Sequence, residues 1–337
     1  MSAGDMTGCP KHMTFGPCGG VRDDATCEMG PHPCPFAARV RPVPWPVVSK
    51  PLVPTSTLLE ALARGGAVVT DLTLPAFDPK AISVLTRILA DSCDAFLVGE
   101  HQNRPDFPPT LMAGLIREAG GIPWVTLACR DRNRLVLEQE LAGLRLSGAD
   151  GVLCVTGDGR AQGVRPGVTQ VFDLDGTQLT SLAAERGHVV AVAESPDAVP
   201  RALRPARLFE KQRAGAHVAI LNHVGAPARV AAFVAKARDE GLTIPVVAGV
   251  AVYTDARSAQ VLQNFPGLHL DPGRVERVLA AYDVRSAGVA AAVEEACALL
   301  AIDGVAGVNL SGLASGRGEM AGSEVKAEVG LALRGAA

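Results

Sequence analysis

The chain has 337 residues, of which 48% are hydrophobic and only 4% aromatic. This length allows one large α/β domain with a small additional module, and a formal net charge of −3 argues against a nucleic-acid partner. No apolar run approaches the roughly 20 residues that a membrane-spanning helix needs. Because Met1–Pro10 lacks the apolar core of a signal peptide, we expect a cytoplasmic protein.

Residues 1–38 are predicted to form a separate cysteine-rich module. Its four cysteines are separated by eight, eight and six residues: Cys9, Cys18, Cys27 and Cys34. A segment this poor in apolar residues needs a cross-link or a metal to fold, and in a cytoplasmic chain a metal is favoured. The spacing is not that of a common zinc ribbon. Reduced, loosely ordered cysteines are the alternative, and His12 and His32 are substitute ligands.

Residues 39–56 are proline-rich and indicate an extended linker, after which strand and helix patterns alternate. Strands are predicted at 67–73, 94–99, 122–128, 150–155, 188–193, 217–222, 244–249 and 305–311. Helices are predicted at 78–90, 108–119, 132–147, 177–186, 200–214, 226–240, 254–263 and, in two pieces, 272–302. This alternation predicts a (β/α)8 TIM barrel over 57–315, with a flexible tail at 316–337. A doubly wound open sheet is the alternative, but no glycine-rich phosphate turn follows the first strand.

The carboxyl ends of the barrel strands should carry the functional side chains. The residues predicted there are Asp71, Glu100, His101, Gln102, Arg130, Asp131, Asn133, Thr156, Asp158, Glu194, Asn222, His223, Tyr253, Asp255, Asn309 and Ser311. This rim is rich in carboxylates and amides, and burial or like charges raise carboxyl pKa values toward those of a general acid. It suits a nitrogen-rich heterocycle better than a phosphorylated sugar. Helix capping is the structural alternative for Asp131 and Asn133.

Five segments in order resemble the methylenetetrahydrofolate reductase family over roughly residues 60–312. They are Thr126–Arg134, Val152–Asp158, Val171–Leu179, Lys211–Ala216 and Ile244–Val250. The module also resembles a cysteine-rich domain of reductase partner subunits, through Cys9–Met13, Gly16–Gly20 and Cys27–Glu28. That second resemblance implies zinc or an iron–sulfur cluster on the four cysteines.

The first resemblance implies an enzyme that reduces 5,10-methylenetetrahydrofolate to 5-methyltetrahydrofolate with NADH or NADPH. Asp71 matches the family's acid at the end of strand one, where glutamate is usual, and Glu100 is a second catalytic candidate. The folate-binding residues that the resemblance implies are Asp158 and Asn222, and the strand-end residues Gln102, Asp131 and Asn133 are further substrate-binding candidates. Asn222 matches a glutamine of the family. Asp71 and Asn222 are therefore each one methylene shorter than the family residues they match.

The same resemblance also bears on whether the protein binds a flavin cofactor. Thr156 stands where flavin-binding members have arginine, Glu210 reverses a charge, and Lys211 is the matched cation that remains. The loss of side chains that would donate hydrogen bonds to the pyrophosphate of FAD weakens its binding. We therefore expect hydride to pass directly from NAD(P)H to the folate. Two alternatives stay open: a folate-dependent methyl-transfer or demethylation protein, and a non-enzymatic subunit that docks a redox partner protein. A homo-oligomer is also left open.

Overall fold

The computed structural model describes residues 8–46, 54–101, 103–160, 165–265 and 268–336. Gln102 and part of the predicted linker lie outside these ranges. Eight strands within them pair in parallel in chain order, and the eighth pairs with the first, so the sheet is a closed barrel. The predicted (β/α)8 TIM barrel is confirmed. No helix of the described residues is long and apolar enough to cross a membrane.

The strands are β1 (Ala67–Asp71), β2 (Ala95–Val98), β3 (Pro123–Ala128), β4 (Gly151–Val155), β5 (Val190–Glu194), β6 (Val218–Leu221), β7 (Val246–Tyr253) and β8 (Val305–Ala314). The helices are α1 (Thr57–Arg64), α2 (Pro79–Leu89), α3 (Pro109–Glu118), α4 (Arg134–Leu146), α5 (Gly176–Glu185), α6 (Arg204–Arg213), α7 (Pro227–Asp239), α8 (Ala256–Gln263), α9 (Pro272–Leu279), α10 (Val284–Leu300) and α11 (Glu319–Ala336).

The core has two layers, which follow from the alternation of side chains along each strand. Inward-facing residues such as Val69, Leu97 and Trp124 form one cluster with Leu58 of α1, which closes the amino-terminal end of the barrel. The other side of each strand packs against the surrounding helices. Trp124 Nε1 donates to Asp150 Oδ2 at 2.7 Å, so the bulkiest inner side chain keeps its polar atom bonded.

The prediction of a flexible tail is wrong, because residues 319–336 form helix α11. This helix packs against α2, α10 and β8, and it buries Val325, Val329 and Leu333. Its lysine, Lys326, is 2% exposed and donates to the backbone oxygen of Asp71 at 2.7 Å. Glycine and alanine in this segment permit close packing, which composition alone did not reveal.

The N-terminal module lies on the carboxyl-terminal face of the barrel and is not separate from it. The backbone nitrogen of Thr14 donates to Asp175 Oδ2 at 2.9 Å, at the start of α5. Arg204 of α6 donates from Nη2 to the backbone oxygen of Cys18 at 2.9 Å. The module has a small core of its own around Met13 and Phe36. Its position is therefore fixed mainly by polar contacts with the barrel.

Candidate functional site

A cavity of about 270 Å³ opens at the carboxyl-terminal ends of the strands. Its walls include seven of the residues predicted from the sequence: Glu100, Arg130, Thr156, Asp158, Glu194, Lys211 and Asn222. The N-terminal module supplies a further part of the wall through Lys11, Cys18 and Gly19. The sequence predicted the strand-end residues through barrel geometry, but nothing in the pattern placed the module over them.

Asp158 follows β4 and faces this cavity with a half-buried side chain. Burial raises the pKa of its carboxyl, and the charge of Glu28 adds to this effect, whereas Lys11 and Arg130 oppose it. Among the described residues, none donates a hydrogen bond to the Asp158 carboxylate. This carboxyl is therefore free to bond to a ligand and is shifted toward the protonated form.

Glu100 follows β2 and is held in place by two donors. Arg132 Nη1 lies 2.7 Å from Glu100 Oε1, and the backbone nitrogen of Ala128 donates to Oε2 at 3.1 Å. Burial raises the pKa of the Glu100 carboxyl, while these contacts and Arg130 act in the opposite direction. Glu100 thus presents to the cavity a carboxyl group that is fixed in position and ion-paired with Arg132.

Glu194, at the end of β5, is surrounded by three cations of helix α6. Its oxygens lie 3.3 Å from Arg204 Nη1, 3.3 Å from Arg207 Nη1 and 2.8 Å from Lys211 Nζ. Burial opposes its ionisation, but Lys211, Arg207 and Arg204 together lower its pKa to about 2. Burial, reinforced by Arg207, lowers the pKa of Lys211 to about 8.

The sequence contains a signal for this cluster that the strand-end pattern alone does not reveal. Residues 204, 207 and 211 have the i, i+3, i+7 spacing of one helix face. Where such a row of cations is buried it requires a counter-charge, and the predicted strand-end residue Glu194 can supply one.

Asn222, after β6, points its amide at the neighbouring strand end. Its Nδ2 donates to Ser195 Oγ at 2.7 Å. Both residues line the cavity. Asn222 therefore offers its amide oxygen, and Ser195 its hydroxyl proton, on the wall that also carries Lys211.

Asp71 is not among the residues that line the cavity. Its Oδ1 accepts from Asn309 Nδ2 at 2.9 Å, so the side chain is bonded within the β1–β8 side of the mouth. The structure thus brings together the predicted folate residues Asp158 and Asn222, but it does not bring Asp71 into the same cavity.

Two further predicted residues have structural partners. Asp131 is ion-paired with Arg130 at 2.9 Å and with Arg160 at 2.6 Å, and it borders a smaller adjoining cavity of about 170 Å³. Asn133 caps α4, because its side chain accepts from the backbone nitrogen of Val136 at 3.0 Å. Gln102 lies outside the described residues.

Both predicted cofactor-binding side chains have partners within the protein. Thr156 Oγ1 accepts from the backbone nitrogen of Gly176 at 2.8 Å and lies 3.5 Å from Met13 Sδ of the N-terminal module. Lys211 Nζ donates to the backbone oxygen of Ala193 as well as to Glu194. Neither residue is poised to bind a pyrophosphate in this arrangement.

The four cysteines do not form a ready metal site. Across the described ranges, no group of three or more histidine, cysteine or carboxylate side chains could hold a metal ion. Cys18 instead donates to Glu28 Oε1 at 3.3 Å, and burial raises its pKa to about 12. The predicted ligands Cys9, Cys18, Cys27 and Cys34 do not fit a metal as arranged, so metal binding stays a prediction for elemental analysis.

No protein-family model matches this sequence, and no curated protein matches it. Among solved structures, an uncharacterised protein from Clostridium thermocellum that binds two copies of 5-methyl-5,6,7,8-tetrahydrofolic acid is 13% identical. Its TM-score is 0.59, over 81% of this chain and 98% of that one. Tryptophan synthase from M. tuberculosis is 14% identical, with a TM-score of 0.46 over 83% of this chain and 98% of that one. The likeness to the Clostridium thermocellum protein shows the barrel fold alone.

Proposed function

We propose that the cavity binds a reduced folate and that the protein reduces 5,10-methylenetetrahydrofolate to 5-methyltetrahydrofolate. The observation that carries this proposal is the convergence of Asp158, Asn222 and Glu100 in one cavity. Asp158 and Asn222 were matched separately to folate-binding residues of the family, and Glu100 was predicted as a strand-end acid. The similar fold of a protein that binds 5-methyltetrahydrofolic acid supports the same substrate class.

The reaction needs one hydride and one proton. The proton goes to N10 of the folate as the five-membered ring opens, and the hydride passes from the reduced pyridine nucleotide to the resulting methylene iminium carbon. The products are 5-methyltetrahydrofolate and the oxidised nucleotide. We assign the proton to Asp158, because burial raises its pKa and its carboxylate is not held by the described protein groups, whereas Glu100 is held by Arg132.

Direct hydride transfer without flavin is the form of the reaction that we favour. Met13 lies against Thr156, and the carbonyl of Cys18 accepts from Arg204 in the cation cluster that contains Lys211. Segment 13–18 of the module therefore contacts the places where the resemblance would put flavin contacts. We infer that the module has replaced the flavin as a wall of the site.

A folate-dependent methyl-transfer protein is the second candidate. It is favoured by the position of Asp71, the family's matched acid, outside the cavity. It is also consistent with the methylated folate bound by the Clostridium thermocellum protein. This candidate predicts folate binding without oxidation of a pyridine nucleotide.

Anaerobic assays of NADH or NADPH oxidation with 5,10-methylenetetrahydrofolate test the proposal. We expect turnover in the wild type and a loss of about 10²–10⁴-fold in Asp158→Asn, which keeps the size of the side chain but cannot supply the proton. A comparable loss in Asp71→Asn, with Asp158→Asn active, would return the acid role to Asp71. Binding of 5-methyltetrahydrofolate without nucleotide oxidation would select the second candidate, and absence of both would reject a folate function.

A further inference from the structure

One ion pair of the N-terminal module holds the loop of Asp158 on both sides. Lys11 Nζ lies 2.5 Å from Glu28 Oε1 and donates to the backbone oxygen of Gly157 at 2.7 Å. Glu28 Oε2 accepts from the backbone nitrogen of Gly159 at 3.1 Å. The pair, here called the Lys11–Glu28 clamp, thus bonds to the residue before Asp158 and to the residue after it.

The loop needs such an external hold because of its sequence. Asp158 lies between two glycines, and Gly157 has a positive φ of 91°. Glycine permits this conformation but does not select it, because it has access to more backbone conformations than any other residue. The orientation of the Asp158 carboxylate therefore depends on the groups that hold the neighbouring backbone.

The burial of the clamp indicates a role beyond stability. Lys11 is 1% exposed, lines the cavity and lies 5.5 Å above the ring of Phe172. Desolvating a lysine and a carboxylate costs about as much as their attraction returns, so such pairs serve geometry more than stability. Cys18 donates to the same Glu28 oxygen, which connects the cysteine-rich module to the loop.

We propose that Lys11 and Glu28 are positioning residues that act through Asp158. The module is therefore a component of the folate site and not an appended domain. This inference rests on the proposed folate function for its ligand, but the clamp itself can be tested without any folate.

A double-mutant cycle tests the link to Asp158. We expect Lys11→Met and Glu28→Gln each to weaken binding of 5-methyltetrahydrofolate roughly tenfold, the loss typical of a charged hydrogen bond. In an Asp158→Asn background the same changes should have no further effect, since the residue through which they act is already altered. Equal losses in both backgrounds would overturn the proposal.

Lys326→Met is the matched control for this cycle. Lys326 is another lysine that is almost fully buried, and it bonds to Asp71 at the other side of the barrel mouth. If removing a buried ammonium group has a general effect on binding, Lys326→Met should change the affinity for 5-methyltetrahydrofolate by the same factor in the wild type and in Asp158→Asn. Calorimetry gives the affinities, and circular dichroism confirms that each variant is folded.

Hydrogen exchange tests the clamp independently of folate. Lys11 and Gly159 bond to different carboxylate oxygens of Glu28. In Glu28→Gln one of these positions carries an NH2 group, which cannot accept, and the charged Lys11 favours keeping the oxygen on its own side. The amide of Gly159 should therefore exchange faster in Glu28→Gln than in wild type. Glu60→Gln, an exposed change on α1, should leave this amide unaffected. Unchanged exchange in Glu28→Gln would overturn the clamp. Absence of folate binding in the wild type would reject only the proposed function.

Discussion

Asp71 is the last residue of β1 and Asp158 lies just after β4, yet only Asp158 lines the cavity. Sequence could predict both as strand-end carboxylates, because an apolar run that stops at a charged residue marks the end of a buried strand. It could not predict that Asn309, 238 residues further along the chain, would bond to Asp71. Nor could it predict the charges that surround the Asp158 carboxyl, which come from Lys11, Glu28 and Arg130 in other parts of the chain.

Glu194 offers a prediction at the scale of one residue. Glu194→Gln should lower the free energy of unfolding at pH 7 by about 3–5 kcal/mol, because it leaves Arg204, Arg207 and Lys211 without their buried counter-charge. The native pKa of about 2 is below the usual value of 4.5, so the stabilisation by Glu194 is present above pH 4.5 and is lost toward pH 2.

Urea denaturation of wild type and Glu194→Gln across this pH range measures the difference. The two proteins should converge in stability as the pH falls from 4.5 toward 2. A difference in the free energy of unfolding that is small at pH 7, or that does not change with pH, would show that the cluster does not stabilise the fold in this way.

At the scale of elements, the strands were predictable and the last helix was not. The eight predicted strands match the observed ones to within a few residues, because valine-, leucine- and alanine-rich runs bounded by polar residues are typical of parallel strands. Helix α11 was not predicted because its three glycines, Gly322, Gly330 and Gly335, lower the helix propensity of the segment. At Gly330 an added Cβ would meet the backbone oxygen of Ser92 at 2.2 Å, so glycine there permits close packing.

Two leucines of α11 give a matched test of its packing. Leu333→Ala should destabilise the protein by about 2–5 kcal/mol, because the side chain is 6% exposed and its removal leaves a cavity. Leu331→Ala, on the same helix but 54% exposed, should change stability by about 0.5 kcal/mol or less. Thermal denaturation compares the two variants, and an equally small effect of both would restore the flexible tail.

At the scale of the whole molecule, the module and barrel should unfold together. The protein has two tryptophans, and they report on different parts of it. Trp45 packs on Phe15 of the module with ring centroids 4.6 Å apart, whereas Trp124 is fully buried inside the barrel. Because the module depends on contacts with Asp175 and Arg204, we expect one cooperative transition.

Single-tryptophan variants measure this directly. In Trp45→Phe the remaining tryptophan reports the barrel, and in Trp124→Phe the remaining tryptophan reports the module. For each variant, the unfolding midpoint measured by fluorescence should agree with the midpoint measured by circular dichroism. A module signal that is lost well before the circular dichroism signal of its own variant would mean that the module unfolds separately from the barrel.

Arg204 bonds to Cys18 across a separation of 186 residues. On the ribosome, the module that covers the cavity is made before its partners in the barrel, Asp175 at the start of α5 and Arg204 on α6. During translation its attachment therefore cannot be completed until the chain has been synthesised through α6. Closure of the site is consequently a late event in the maturation of each nascent chain, and a product truncated before α6 could not carry it out.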